Sequence, residues 1–292
     1  MVFFAFAGNV LVICIILKYK KMRTKINLFL LNLSFADLIM VTFNAMFNFV
    51  YMLNSHWPFG DVYCTFSNFI ANFSIGLSVF TITATSVDRY IVVVYPLKAR
   101  TSKKTSAIVI LVIWLLSALL AIPTLIFSTT FTFEYSEGEK RTLCTLQWPD
   151  GLSGASTYDY IYQVIFFVLT YAIPMTSMTI TYTVMARALW SNRMVGELNE
   201  GQREAVRSKQ KVVLMLITVT VIFGVCWLPY HLYFLYIFHN LELSAEPWVQ
   251  HFFLGFYWLA MSNSTLNPLI YALLNKRSVN VVCKSQFEFL IF

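Results

Sequence analysis

Seven stretches of this chain, residues 2–17, 26–51, 62–87, 105–133, 160–186, 212–238 and 248–275, contain a single Asp, Glu, Lys or Arg between them, Asp37. A helix needs about 20 apolar residues to cross the hydrocarbon core of a bilayer, and six of the runs exceed that length. The fold class that follows is an all-α membrane protein. We expect one domain over residues 1–292, a bundle of seven transmembrane helices at about 2–17, 26–52, 62–94, 105–128, 158–190, 207–238 and 247–275, with a short tail at 276–292. The first run is short and starts at the second residue of the chain, so the natural start is expected upstream. An odd number of crossings puts the two termini on opposite faces.

Charge orients the bundle. Nineteen of the 21 Lys and Arg fall in the gaps after runs one, three, five and seven, and only Lys140 and Arg141 fall in the others. By the positive-inside bias the first set of gaps is cytoplasmic. The C-terminus is then inside and the N-terminus outside, as expected of a multi-pass plasma-membrane protein. Eight of the 14 acids, Asp61, Glu134, Glu137, Glu139, Asp150, Asp159, Glu242 and Glu246, lie on the outer side. That face is net negative and suits a cationic ligand. The basic inner face suits anionic membrane lipid or an acidic partner surface, although the topology signal alone accounts for the same bias.

Among the five cysteines, Cys14 and Cys226 lie mid-span and Cys283 lies in the tail, where reducing conditions disfavour a bridge. Cys64 and Cys144 alone face the oxidising side, so one disulfide is expected to tie the outer end of span three to the second outer loop. In that loop Phe131, Phe133 and Tyr135 alternate with polar residues, and Leu143 resumes the pattern beyond Glu137-Gly138-Glu139. Period two around a turn predicts a β-hairpin with Cys144 on its second strand. Pinned in this way, it would hold a pocket mouth open for an extended ligand such as a peptide.

Polar groups inside a membrane need a reason. Asp37 is the only acid in any span. Ser78 on span three and Asn263, Ser264 and Asn267 on span seven are candidates to converge on it, Asn263 and Asn267 sharing a helix face by their spacing of four. Such an oxygen-rich cluster suits a small cation or a protonated carboxyl, and a hydrogen-bonded structural cluster fits the same spacing. Pro123, Pro174, Pro229 and Pro268 place kinks in spans four to seven. No metal-binding His pair and no nucleophile–base constellation appears, so neither an enzyme nor a metalloprotein is expected, and no nucleic-acid partner is expected.

Asp88-Arg89-Tyr90 closes span three, Cys226-Trp227-Leu228-Pro229 lies in span six, and Asn267-Pro268-Leu269-Ile270-Tyr271 ends span seven. Gly8-Asn9, Leu33-Ser34-Phe35-Ala36-Asp37, Trp114, and Pro174 with Tyr182 accompany them in spans one, two, four and five. With these motifs in this order, the chain resembles the rhodopsin-like G-protein-coupled receptors over all seven spans. The resemblance implies that Asp88 holds Arg89 at rest and that span six swings outward about Pro229. Arg89 would then face the inserted C-terminal helix of a heterotrimeric G protein, with Tyr182 and Tyr271 stabilising the open form. Trp227 would floor the pocket above a packing relay of Pro174, Val79 and Phe223. One departure is Lys209, which stands where many relatives carry an acid to pair with Arg89, and it implies a weaker resting lock.

Absences narrow the ligand. Span seven has no lysine to hold retinal, and the position seven residues after Cys64, an aspartate in amine receptors, is Ala71. Trp57-Pro58-Phe59-Gly60, Trp148-Pro149-Asp150-Gly151, Cys226-Trp227-Leu228-Pro229-Tyr230-His231 and Trp258-Leu259-Ala260-Met261-Ser262-Asn263 resemble the tachykinin-like peptide (neurokinin) receptors, particularly their invertebrate branch. That resemblance implies a ligand site of Asn44, Asn48, Asn68, Tyr162, Gln163, His231 and Phe253, whose amide side chains both donate and accept hydrogen bonds. It implies an amidated neuropeptide, ending in arginine-amide in the invertebrate branch, which agrees with the negative outer face. It also implies Gq-type coupling to calcium release, and no cofactor beyond a sodium ion at Asp37. Thr124 replaces a usual glutamine and Gln163 a usual histidine, so vertebrate ligand preference does not transfer. The alternatives are a peptide receptor of the neuropeptide Y type and, more remotely, a transporter, although no internal repeat of the transporter kind is evident.

Several residues also have plainer readings. His231, Asn44 and Asn48 fit interhelical hydrogen bonding, Trp57 fits an aromatic belt, and His239 and His251 fit solvated surface. Asn32, Asn72 and Asn263 each head a glycosylation triplet but lie inside spans, so they are not acceptors. Arg203, Arg207 and Lys211 recur every four residues, so span six is expected to begin inside the third inner loop as a helix with a basic stripe, facing G protein or phospholipid. After Asn275-Lys276-Arg277 the tail lacks the family's amphipathic pattern, as truncation or an alternative exon would produce. Cys283 is open to palmitoylation or to remaining a free thiol.

Overall fold

The computed structural model describes residues 1–95, 102–134, 138–191 and 200–274. Tyr135 and Glu137 in the outer hairpin, and everything from Asn275 onward including Cys283, lie outside the described residues. Seven helices run through the rest: Val2–Lys18, Lys25–Asn54, Gly60–Val94, Lys103–Phe127, Thr157–Trp190 and Glu200–His239, and Pro247–Leu274. Five are long and apolar enough to cross a membrane, while the first has 17 residues. The sixth begins at Glu200, ahead of the uncharged run at residues 212–238, and carries the Arg203–Arg207–Lys211 stripe.

Local chemistry sets several helix starts. Thr24 Oγ1 accepts from the Asn27 N–H at 3.4 Å, Ser102 Oγ from Thr105 at 3.1 Å and Ser156 Oγ from Asp159 at 3.0 Å. Each cap satisfies an N–H that a first helical turn leaves without a partner.

Burial separates the lipid-facing helices from the central one. The most apolar window of the fourth helix is only 22% buried, and that of the third is 67% buried. Ile108, Leu111, Leu115, Leu119 and Ile126 stand exposed along the fourth helix. An apolar face of that extent is a liability in water and ordinary against lipid. The third helix packs against the second, fourth and fifth. Gly76 permits a close approach to the fourth helix, because a Cβ there would lie 2.9 Å from Ser117 Oγ and 3.2 Å from Ser117 Cα. Val79, Met178, Met185, Val213, Val219 and Phe223 are fully buried between helices three, five and six.

Two helices depart from α geometry. Val41–Ala45 and Val168–Ala172 are π turns, each fitting an extra residue into a turn. In the fifth helix the cause is legible: Pro174 has no N–H to give the carbonyl of Thr170, and the turn widens just before it. No proline explains the turn in the second helix. Pro123, Pro229 and Pro268 lie inside helices four, six and seven.

The fourth helix stops at Phe127, and the end of the uncharged run becomes β1 (Ser128–Glu134), where β-branched Thr alternates with Phe. It pairs antiparallel with β2 (Lys140–Trp148), placing Thr130 opposite Cys144. The expected hairpin is present, and the Cys64–Cys144 disulfide joins it to helix three. A two-residue β3 (Gly151–Leu152) folds back onto Gln147 and Trp148. This extension went unread because two residues are too few to carry a period.

Candidate functional site

The hairpin is fastened at its edges as well as by its disulfide. The Trp57 N–H donates to the Thr142 carbonyl at 2.8 Å, the Thr142 N–H donates to His56 Nδ1 at 3.0 Å, and the Thr130 N–H donates to Asp61 Oδ1 at 2.9 Å. Trp57, 2% exposed, packs among Tyr51, Phe59 and Tyr63 inside the outer loops, not in an interfacial belt. At the far end of β2, Trp148 stacks on Phe127 and donates Nε1–H to Asp159 Oδ1 at 3.0 Å. Asp159 Oδ2 accepts from Ser153 Oγ and from the Gly154 N–H. Partial desolvation pushes the Asp150 carboxyl up, but hydrogen bonds from Ser156 and from the N–H groups of Thr157 and Tyr158 outweigh it and hold the group below its usual range.

These contacts use up much of the outer negative charge. Asp61, Asp150 and Asp159 fix the loop, and Glu134 and Glu139 pair with Lys140 and Arg141. Among the described outer acids, Glu242 and Glu246 make neither an ion pair nor a side-chain hydrogen bond.

The expected ligand-site residues sit between the hairpin and the bundle centre. Asn68 donates to Ser128 Oγ at 3.1 Å beside the disulfide. Tyr162 accepts from Asn72 Nδ2 at 3.2 Å and donates to the Leu120 carbonyl at 3.1 Å, joining helices three, four and five. Asn72 was absent from the expected site, and its position one helical turn after Asn68 was the available signal. Asn44 is buried and satisfied: Nδ2 donates to Ser67 O and Oγ, and Oδ1 accepts from Tyr257 at 3.1 Å. Asn48 donates to the Asn44 carbonyl at 3.3 Å. Gln163 is half-buried, and Phe253 packs on Tyr233 and Phe234. His231, 3% exposed, is ringed by Phe166, Phe167, Tyr171, Trp227 and Tyr230. Neither its Nε2 nor Trp227 Nε1 has a hydrogen-bond partner among the described residues. Buried polar groups of this kind are places where a water or a ligand atom can supply the missing hydrogen bond.

Beneath this floor Phe223 follows Trp227 at 6.1 Å between ring centres, with Val79 buried beside it. Asp37 accepts from Ser264 Oγ at 2.8 Å and from Asn267 Nδ2 at 2.9 Å. Ser78 and Asn263 are buried but make no hydrogen bond to Asp37, and the Oδ1 atoms of Asn263 and Asn267 have no hydrogen-bond partner among the described residues. Asn9 ties in helix one, donating to the Ala5 and Ser264 carbonyls at 2.9 Å each, and Gly8 lets Pro268 approach so closely that a Cβ would meet it at 3.0 Å. A second polar node went unread: Asn32 donates to Thr81 Oγ1 at 2.7 Å and accepts from Trp114 Nε1 at 2.8 Å, joining helices two, three and four.

At the inner end Asp88 and Arg89 are paired, Arg89 Nε lying 3.0 Å from Asp88 Oδ2. They line a cavity of about 570 Å³ that Lys209 also lines. Tyr90 faces Tyr95 at 6.1 Å. Tyr182 accepts from Thr220 at 3.4 Å, and Tyr271 is buried nearby on helix seven.

Residues 8–271 match the family model described as 7 transmembrane receptor (rhodopsin family). The chain is 51% identical over 277 residues to the tachykinin-like peptides receptor 86C of Drosophila melanogaster, covering 95% of this chain and 55% of that protein. It is 43% identical to the tachykinin-like peptides receptor 99D of the same organism, covering 95% and 53%, and 41% identical to the human neuromedin-K receptor, covering 94% and 57%. The chain thus spans about half the length of the curated relatives it matches.

Proposed function

Because this chain belongs to the rhodopsin family of seven-transmembrane receptors, we propose that it detects a tachykinin-like peptide at its outer face and opens a site for a heterotrimeric G protein at its inner one. The observation that carries the reading is its 51% identity, along 95% of its length, to a receptor named for tachykinin-like peptides. The proposal extends to an amidated peptide, Gq-type coupling, an extracellular N-terminus and a cytoplasmic C-terminus in the plasma membrane.

An extended peptide would lie under the pinned hairpin and against Asn68, Tyr162, Gln163 and Phe253. His231 and Trp227 present unsatisfied polar atoms below. Asn44 and Asn48 act from behind this surface by holding Tyr257 and the second, third and seventh helices in register. A cationic peptide end would meet Glu242 and Glu246, which are unengaged among the described outer acids. Pressure on Trp227 passes through Phe223 toward the core beside Val79, and Pro229 supplies the hinge about which helix six departs. Arg89 then exchanges Asp88 for acceptors on the G protein, and Tyr182 and Tyr271 hold the opened form.

Asp37, with Ser78, Asn263, Ser264 and Asn267, would hold sodium. A carboxylate and two unpartnered amide oxygens are the oxygen donors a hard cation takes, and the bound ion would neutralise the buried charge.

The test is calcium release in cells expressing the chain, challenged with arginine-amide peptides, their free acids and peptides of the neuropeptide Y type. The amidated tachykinin-like peptides should trigger release and the free acids should not. A response confined to the neuropeptide Y type would overturn the ligand assignment.

A further inference from the structure

The inner cavity collects more positive charge than a lock for Arg89 requires. Arg23 of the first inner loop, Lys25 of helix two, Arg89 of helix three, Lys103 of helix four and Lys209 of helix six all line it. Among the described residues the one acid on its wall, Asp88, is engaged by Arg89. Among the described residues Arg23, Lys25, Lys103 and Lys209 make no ion pair, and Arg23 donates to the neutral carbonyl of Leu17. Four uncompensated cations converging on one concave space repel each other and concentrate anions. Their origin on separate elements distinguishes them from a basic stripe that merely faces the membrane surface. The volume, about 570 Å³, lies in the range of small-molecule sites and exceeds what a single phosphate fills.

We propose that this cavity binds a ring-sized polyphosphate anion, an inositol phosphate either free or as the headgroup of a phosphoinositide. Bound there, the anion bridges Lys209 on helix six to Arg23, Lys25 and Lys103, supplying the negative charge that helix six itself lacks opposite Arg89. The inference concerns binding and does not depend on which peptide or G protein the chain uses.

The test uses the full chain in lipid nanodiscs, open on both faces so that orientation does not affect the readout. Discs carrying phosphatidylinositol 4,5-bisphosphate are compared with discs carrying phosphatidylserine at equal total charge, and soluble inositol trisphosphate is titrated separately. Lipid association is measured by native mass spectrometry and soluble binding by calorimetry. Replacing Lys103 and Lys209 together by Gln should weaken bisphosphate binding by about 25-fold, at roughly fivefold for each cation removed. The control pair Lys104→Gln and Arg187→Gln, both exposed cations outside the cavity lining, removes equal charge and should change it less than about twofold. Soluble trisphosphate binding with the same lysine dependence would assign the free anion, and binding by the lipid alone would assign the headgroup. Equal losses for the two pairs, or no preference for bisphosphate over phosphatidylserine, would overturn the proposal.

Discussion

Arg89 takes its ionic partner from the residue beside it in the chain, Asp88, while the charged side chain that helix six contributes to the same cavity is the like-charged Lys209. A lock spanning helices three and six would have to be broken for helix six to leave, whereas a pair within helix three restrains nothing on helix six. Agonist-free nucleotide exchange should therefore be measurable. Lys209→Glu, which supplies the missing acid, should lower it severalfold at equal surface expression. A silent parent receptor unchanged by Lys209→Glu would reject this reading.

The hairpin's disulfide closes a long loop, with a sequence separation of 80. A cross-link of that span is worth about 4 kcal/mol in the chain-entropy model. Replacing Cys64 and Cys144 together by Ala should lower the melting temperature and weaken peptide binding by more than tenfold. Asp61→Asn, which weakens one edge contact to Thr130, should do less of both. Thermal unfolding in detergent beside radioligand binding checks the order.

At Asp37 the carboxylate satisfies two buried donors, Ser264 and Asn267. Asp37→Ala leaves both without a partner, at about 1–3 kcal/mol each, and Asp37→Asn should be milder. If the unpartnered oxygens of Asn263 and Asn267 serve a cation, sodium should raise the melting temperature of the parent above that in choline at equal ionic strength. It should not raise that of Asp37→Asn. Equal stabilisation of both by sodium would leave a purely hydrogen-bonded cluster.

Trp114 Nε1–H is the donor that satisfies buried Asn32 Oδ1. Trp114→Phe keeps most of the ring packing against Phe35 and Phe73 and removes that one bond. A destabilisation of about 1–3 kcal/mol is expected, read as a lower unfolding midpoint with peptide affinity retained.

What could be read from the sequence follows from which features repeat. Absence of charge over many residues marks a helix in lipid wherever it occurs, and the Thr–Phe alternation around Phe131 and Phe133 marks a strand. Hence the bundle, the hairpin and the Cys64–Cys144 bond were all legible. Position along a run carries less. The uncharged run to residue 133 continues past the helix end at Phe127 because the strand, alternating Thr with Phe, carries no charge before Glu134. The π turn at Val41–Ala45 has no local mark, since no proline forces it, and it alters which face of helix two Asn44 and Asn48 present. Asn32, Asn72 and Trp114 were visible as polar residues in apolar spans, but only packing reveals whether such a group meets a neighbouring helix or a ligand. The same limit applied to the outer acids, whose count overstated the charge left free.

The central claim is that outer occupancy reaches a G protein through Arg89. Its most direct test is peptide-driven nucleotide exchange on purified G protein, comparing the parent with Arg89→Ala at matched peptide occupancy. The account predicts a loss of at least about tenfold in stimulated exchange with peptide affinity little changed. Undiminished exchange in Arg89→Ala would contradict it.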